Sequence, residues 1–242
     1  MINQFQSLFE QYLNLVQIQS VTLDDIFPSN ESEYSGINKL GLYPAEKCIP
    51  FVTNKKTHYY LLDNLAVLDE PLRLSNQQDV YEFNQVEQLF LTPRMQNPEA
   101  HFWLMNNLFK GRGNAKGRVD GQVKRLYKIK KGHEQRQDWK LIQVEWMKAV
   151  LSIKYQQCCP FRELLHSTGD SILVEDATQT NYASNCYWGA KRISHEEKEY
   201  FIGVNVMGKI LMQLRENNGI IAYSLPHDLH LFGVKFSEFI VN

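Results

Sequence analysis

The stretch from Asp138 to Ile153 constrains the fold more than any other part of the chain. Trp139, Ile142, Trp146, Val150 and Ile153 recur at three- and four-residue spacing, which puts two tryptophans and three β-branched residues on one helical face. Asp138 stands where an N-cap is expected, and Pro160 follows soon after the far end. A helix with so heavy an apolar stripe has to be covered by other elements, so the chain must build a sizeable core. Its 242 residues suffice for one generous domain, or one domain with an extension. With 43% hydrophobic and 22% charged residues, the composition is that of a globular protein and excludes a disordered one.

Other classes fall away in turn. No apolar run approaches the roughly 18–20 residues needed to cross a bilayer, so no membrane partner is expected. Met1-Ile2-Asn3-Gln4-Phe5 lacks the basic and apolar regions of a secretory leader. Cys48, Cys158, Cys159 and Cys186 contain no CxxC pair, and adjacent cysteines bridge poorly; reduced thiols in a cytoplasmic protein are expected. His166 lies seven residues past Cys159 without a metal-site spacing, so neither a metal nor a cofactor is called for.

Residues 4–19, with Phe5, Leu8, Phe9, Tyr12, Leu13 and Val16 at 3/4 spacing, predict an amphipathic helix. Residues 20–47 are polar and rich in turn formers, like a connector. Together they suggest an N-terminal extension over 1–45 and a main domain over 46–242. Ile49–Leu74 suits short strands and loops. Asn84 with Glu87 three residues on has capping-box spacing for a short helix that Pro93 limits. Residues 99–109 suggest another helix, Ile172-Leu173-Val174 a buried strand, and 204–216 a last strong helix, with a strand or two in the tail. Helices outnumber strands and do not alternate with them, so the expected class is α+β, predominantly helical with a small sheet and a helical N-terminal extension.

The net charge of −1 hides a basic block. Lys110 to Lys140 carries eleven Lys/Arg against three Asp/Glu. Two readings stay open: a solvated loop, or a surface that meets phosphates, including those of DNA. Gly111-Arg112-Gly113-Asn114-Ala115-Lys116-Gly117 fits neither GxGxxG nor GxxxxGK[ST]. No GxSxG and no Ser/His/Asp order is present, which speaks against a serine or cysteine hydrolase. Carboxylates carry more. Glu87 sits beside Tyr81, Phe83 and Phe90, while Glu175 and Asp176 end the short strand. Carboxylates near a ribose C1 can stabilise the positive charge that builds up as an N-glycosidic bond breaks, and an aromatic wall such as Trp188 can stack on the leaving base. The plainer alternative makes Glu87 a helix cap and Glu175 a strand end held by backbone N–H groups.

From 137 to 216 an ordered series of motifs follows: Gln137-Asp138-Trp139 with Met147, Leu151, Lys154 and Tyr155; Phe161-Arg162-Glu163-Leu164-Leu165 with Thr168-Gly169-Asp170; Leu173-Val174-Glu175; Tyr187-Trp188-Gly189; and Gly203, Asn205, Gly208, Leu211, Met212, Leu214 and Arg215. Ile49-Pro50-Phe51, Leu62-Asp63-Asn64-Leu65 and Phe83-Asn84-Gln85-Val86-Glu87-Gln88 add a looser match upstream. These residues resemble the NADAR (YbiA-like) superfamily over about 49–216. The resemblance implies a YbiA-like fold and an N-glycosidase. Members act on ribosylated riboflavin intermediates, or remove ADP-ribose from guanine as antitoxins to DarT-type DNA ADP-ribosyltransferases. Carried over, it implies catalytic parts for Glu87, Arg94, Glu175 and Asn185. Substrate contacts are implied for Asn64, Phe83, Trp139, Trp188, Gly189, Gly203 and Asn205. The implied partners are an ADP-ribosyl nucleotide substrate, DNA through the 110–140 segment, and a DarT-type toxin.

Besides Gln88, which stands where the family has His, two departures from the family matter. Arg94 stands where it has Lys, and a guanidinium cannot lose a proton to act as nucleophile or base. Asn185 stands where it has Asp, and an amide cannot neutralise an oxocarbenium. Asp176 is a candidate substitute. A catalytically altered ADP-ribose- or NAD-binding module is therefore an alternative to the enzyme.

Overall fold

A computed structural model describes residues 26–28, 37, 40–52, 57–107, 136–179, 185–195 and 197–241. The helix expected over 4–19, the glycine-rich loop and the basic block up to residue 135 lie outside them. In chain order the elements are β1 (Ile26–Pro28), β2 (Leu40–Pro44), β3 (Cys48–Phe51), β4 (Leu72–Ser75), β5 (Val80–Phe83), α1 (Val86–Leu91), α2 (Pro98–Asn107), α3 (Trp139–Gln157), α4 (Cys159–Ser167), β6 (Ile172–Glu175), α5 (Asn185–Trp188), β7 (Lys191–His195), β8 (Lys198–Gly203), α6 (Val206–Glu216), β9 (His230–Leu231) and β10 (Val234–Lys235). The class is mixed α and β with small sheets. Ten short strands accompany six α-helices among these elements, and the six helices still hold more residues than the strands.

The chain divides into two compact units. The first comprises residues 1–52 and 165–218 and holds a four-stranded sheet in the order β1-β2-β8-β7. β1 runs parallel to β2, and the β2–β8 and β8–β7 pairs are antiparallel. Leu40, Leu42 and Tyr43 of β2 are buried, so the connector expected across 20–47 is core strand at 40–44. A second sheet pairs β3 with β6 in parallel, Ile49 opposite Leu173 and Phe51 opposite Glu175. Met207, Ile210, Leu211 and Leu214 give α6 its apolar face, and the helix packs on β6. Gly169 ends α4 in the left-handed region at φ +54, its N–H on the His166 carbonyl at 3.2 Å; a side chain there would be strained.

The second unit comprises residues 53–164 and 219–242, and α3 runs through it as the long helix expected. Trp146 is fully buried. Its indole N–H reaches the Leu89 carbonyl at 3.3 Å and the Phe90 carbonyl at 3.1 Å, satisfying groups that the short α1 leaves open. Asp138 holds the N-cap position of α3, yet its carboxylate makes no capping bond. It pairs with Arg136 at 2.6 and 3.1 Å instead. β4 and β5 form an antiparallel pair, and β9 pairs with β10. The Gln157 side chain accepts the Arg73 N–H at 2.7 Å and donates to the Arg73 carbonyl at 2.8 Å, so an amide covers the edge of β4 as another strand would.

His101 ties the tail into this unit. Its Nε2 lies 2.6 Å from the Met95 carbonyl, and its Nδ1 accepts the Phe232 N–H at 2.9 Å. Only the neutral ring with its proton on Nε2 serves both. Burial lowers the His101 pKa below 6.5, with the Met95 bond partly offsetting it. The unfolded chain therefore takes up this proton more readily, and the contribution to stability, complete above about 6.5, is lost as pH falls below it. Urea unfolding at pH 7.5, 6.0 and 5.0 is expected to show that loss. A His101→Phe variant should be less stable by roughly 1–3 kcal/mol at pH 7.5 and should show a shallower pH dependence.

Candidate active site

In the second unit the turn after Tyr60–Leu62 brings Asn64 to the start of α1. Buried Asp63 shapes it by accepting the Leu65 N–H at 2.7 Å. The Asn64 carbonyl takes the Glu87 N–H at 3.1 Å, one of the open donors at the start of a helix. The Asn64 amide nitrogen lies 3.5 Å from the Met147 sulfur. Its Oδ1 is buried without a hydrogen-bond partner. A buried acceptor left empty costs free energy unless a ligand donor fills it.

α1 begins one residue later than the spacing suggested. Gln85 is the N-cap, and Gln88 reaches back to its N–H at 3.1 Å while donating to the Met105 carbonyl at 3.5 Å. The Gln85 amide in turn donates to the Leu65 carbonyl at 2.8 Å. The capping box is thus formed by Gln85 and Gln88, not by Asn84 and Glu87. The half-buried Glu87 sits in the first turn, where the helix dipole favours a negative charge. Arg94 ends the 3-10 turn that follows α1. Its carbonyl receives the Arg136 N–H at 2.9 Å, and its Nε is buried without a partner.

Two residues expected to touch substrate are enclosed instead. Phe83 is fully buried with its ring 6.1 Å from that of Phe232, and buried Trp139 packs on Phe90 at 5.2 Å. For Trp139 the helical spacing already pointed to the core; the substrate contacts of both came from the family resemblance alone.

The first unit gathers Glu175, Gly189, Gly203 and Asn205 around the end of β6. Asn205 is fully buried in the left-handed conformation, φ 55 and ψ 42. Its amide donates to the Leu173 carbonyl at 2.8 Å and accepts the Glu175 N–H at 3.1 Å, and its own N–H goes to the Gly189 carbonyl at 3.1 Å. Asn205, expected at the substrate, thus clamps the backbone that carries Glu175. The glycines permit close approach. A Cβ on Gly189 would stand 2.2 Å from the Glu175 carbonyl oxygen, one on Gly203 2.4 Å from that of Gly189, and one on Gly208 2.0 Å from that of Leu173. Half-buried Trp188 meets Tyr187 edge-on at 5.6 Å, and burial raises the Tyr187 pKa. Asn185 opens the short α5; its side chain lies outside the described structure. The Asp176 carboxylate accepts both the N–H and the hydroxyl of Thr178.

Glu87, Arg94 and Asn64 therefore share one unit, and Glu175, Trp188, Gly189, Gly203 and Asn205 the other. No group of three or more His, Cys, Asp or Glu that could hold a metal occurs among the described residues. Gly208 and Lys154 belong to the motifs, yet nothing in their spacing signals the close packing of the one or the buried charge of the other.

Glu87, in the first turn of α1, is thus bonded through its backbone to Asn64, whose side-chain oxygen is buried without a hydrogen-bond partner. The chain belongs to the NADAR domain family, which it matches over residues 50–217. It is 32% identical over 81 residues to a Nostoc punctiforme protein named an N-glycosidase; the match takes in 34% of this chain and 44% of that protein, so this chain spans less than half its length. The solved structure of YbiA from Escherichia coli is similar with a TM-score of 0.49 and 21% identity, covering 71% of this chain and 84% of that one.

The clamp makes a direct prediction. Asn205→Ala leaves the Leu173 carbonyl and the Glu175 N–H buried and unpaired, and should cost roughly 2–4 kcal/mol in chemical denaturation. Gly208→Ala should also destabilise, since its Cβ would collide with a backbone oxygen.

Proposed function

We propose that this protein is an N-glycosidase that hydrolyses the bond between ADP-ribose and a base, with ADP-ribosylated guanine in DNA as the substrate and an antitoxin-like part opposite a DarT-type toxin. Membership of the NADAR family and the partial likeness to a named N-glycosidase support the reaction type. The observation that carries the reading is the buried, empty Asn64 Oδ1 on the turn bonded to Glu87. A ribose hydroxyl is a donor of the kind that acceptor lacks. On this reading the C1–N bond breaks with its electron pair leaving on the base, positive charge builds on C1 and O4, and the Glu87 carboxylate stabilises it while water adds to C1. Arg94 offers its empty Nε donor to phosphate. Parts for Glu175, Asn185 and Trp188 rest on the family resemblance. The eleven Lys/Arg against three Asp/Glu between Lys110 and Lys140 support a nucleic-acid substrate, since neutralised phosphates supply much of such affinity.

The test is release of ADP-ribose from an oligonucleotide carrying ADP-ribosylated guanine, with an active family enzyme alongside. Turnover is expected, and Glu87→Gln should reduce it by about 100-fold or more with unchanged unfolding. No release would reject the reading.

Arg94 itself favours a second reading, a module that binds ADP-ribose or NAD without cleaving it, since a guanidinium binds phosphate but moves no proton. Micromolar binding in calorimetry without turnover would select it, and Arg94→Lys combined with Asn185→Asp should then restore cleavage. Cleavage of a riboflavin intermediate ranks last, because a small soluble substrate gives the basic block no task.

A further inference from the structure

Lys154 lies in α3 and is fully buried. Its ammonium donates to the Leu61 carbonyl at 2.5 Å, approaches the Asp63 carbonyl at 3.5 Å, and stands 4.2 Å from the centre of the Phe161 ring. Those two carbonyls flank the turn that delivers Asn64, and the Asn64 carbonyl holds the Glu87 N–H. A chain of contacts thus runs from a buried charge to the start of the helix that bears the carboxylate.

We propose that Lys154 is a positioning residue of this site, its charged ammonium fixing the 61–63 turn and thereby the placement of Asn64 and Glu87. Buried lysines are costly, and a neutral polar side chain could have satisfied the same two carbonyls at lower cost. What the charge adds is strength: charge-assisted hydrogen bonds are roughly twice as strong as neutral ones, and only a cation is drawn to the face of Phe161. Losing the proton weakens all three contacts at once. Burial brings the Lys154 pKa down to about 8, while the two titratable groups that act on it, Cys158 on its own helix and Asp63 on the turn, raise it. The loss therefore falls in mildly alkaline solution.

The direction of the shift separates this from simple unfolding. Between about 8 and 10.5 the unfolded chain holds the proton more tightly than the folded one, so this group's contribution to stability rises across that window while its grip on the turn is lost. A response at Asn64 without loss of stability is the signature of positioning.

The experiment follows carbon resonances of the full-length protein from pH 6.5 to 10.5: the Lys154 Cε, and the Cγ and backbone carbonyl of Asn64. The Asn64 carbons are expected to move with the midpoint of Lys154, near pH 8, with urea stability undiminished. In Lys154→Arg, whose side chain stays charged, that movement should vanish. Asn64 carbons indifferent to the titration of Lys154 would overturn the proposal, and the wild-type protein alone decides this if the variant fails to fold. The link to catalysis rests on the glycosidase reading. There, turnover should fall by roughly tenfold or more between pH 7.5 and 9.5 in the wild type, and hold level in Lys154→Arg. Coupled resonances without turnover at any pH would sustain the positioning role and reject the glycosidase; turnover insensitive to the shared titration would reject the role.

Discussion

Strands of two to six residues cannot satisfy their own backbones, and this shortage governs how the rest of the protein is built. A long sheet pairs its N–H and C=O groups along a ladder, whereas here each ladder stops within a few bonds. Side chains take over where it stops. Asn205 continues β6 on the edge that β3 does not cover, Gln157 does the same for β4, and the Trp146 indole closes the end of α1. Arg215 meets the Ser171 carbonyl and the Thr168 hydroxyl at the head of β6. Asn205, Trp146 and Arg215 are buried, where an unmet polar group would be most costly, while the Gln157 bonds lie at the exposed edge of β4.

The same rule explains why the candidate site is polar beneath its surface. At the turn that carries Asn64, the Leu61 and Asp63 carbonyls are met by the Lys154 ammonium. The start of α1 has no Ser, Thr or Asp to cap it, so two glutamines do the work, one of them at the position where the family has histidine. Glutamine offers donor and acceptor together at any pH, which a neutral histidine matches and a charged one does not. Those two glutamines make the bonds described at the helix start, and Glu87 stands between them in the first turn.

How much of this could be read from the sequence depended on the length of the signal. The 3.6-residue pattern from Trp139 onward and the stripe of α6 are long, and both helices stand where the spacing put them. Ile172-Leu173-Val174 was legible because three buried β-branched or branched residues in a row have few other homes. The β7–β8 pair was missed: its strands mix Lys, Arg, Glu and His with the apolar residues, although β8 lies inside the sheet between β2 and β7. β2 was hidden because Gly41 and Pro44 read as turn formers. At the site, Asn64 and Glu87 were marked by motif and stand bonded together. Asn205 was marked for substrate, yet its task depends on a left-handed backbone and an amide aimed at β6, and neither leaves a trace in spacing.

Arg94 shows where structure and chemistry part. A lysine at the end of the turn after α1 could exchange a proton with a substrate; an arginine offers a permanent positive fork and nothing else. Its Nε is buried with no acceptor, which the protein tolerates only if something outside the fold supplies one or the site gives up the cost of leaving it bare. A phosphate oxygen would supply it, and so the same substitution that weakens the argument for proton transfer strengthens the one for holding a nucleotide. If bond cleavage survives, it must then come from stabilising the cationic ribose through Glu87 rather than from a nucleophilic amine. Such a mechanism asks little of proton transfer and much of placement, and placement is what the buried ammonium of Lys154 and the glutamine caps of α1 supply.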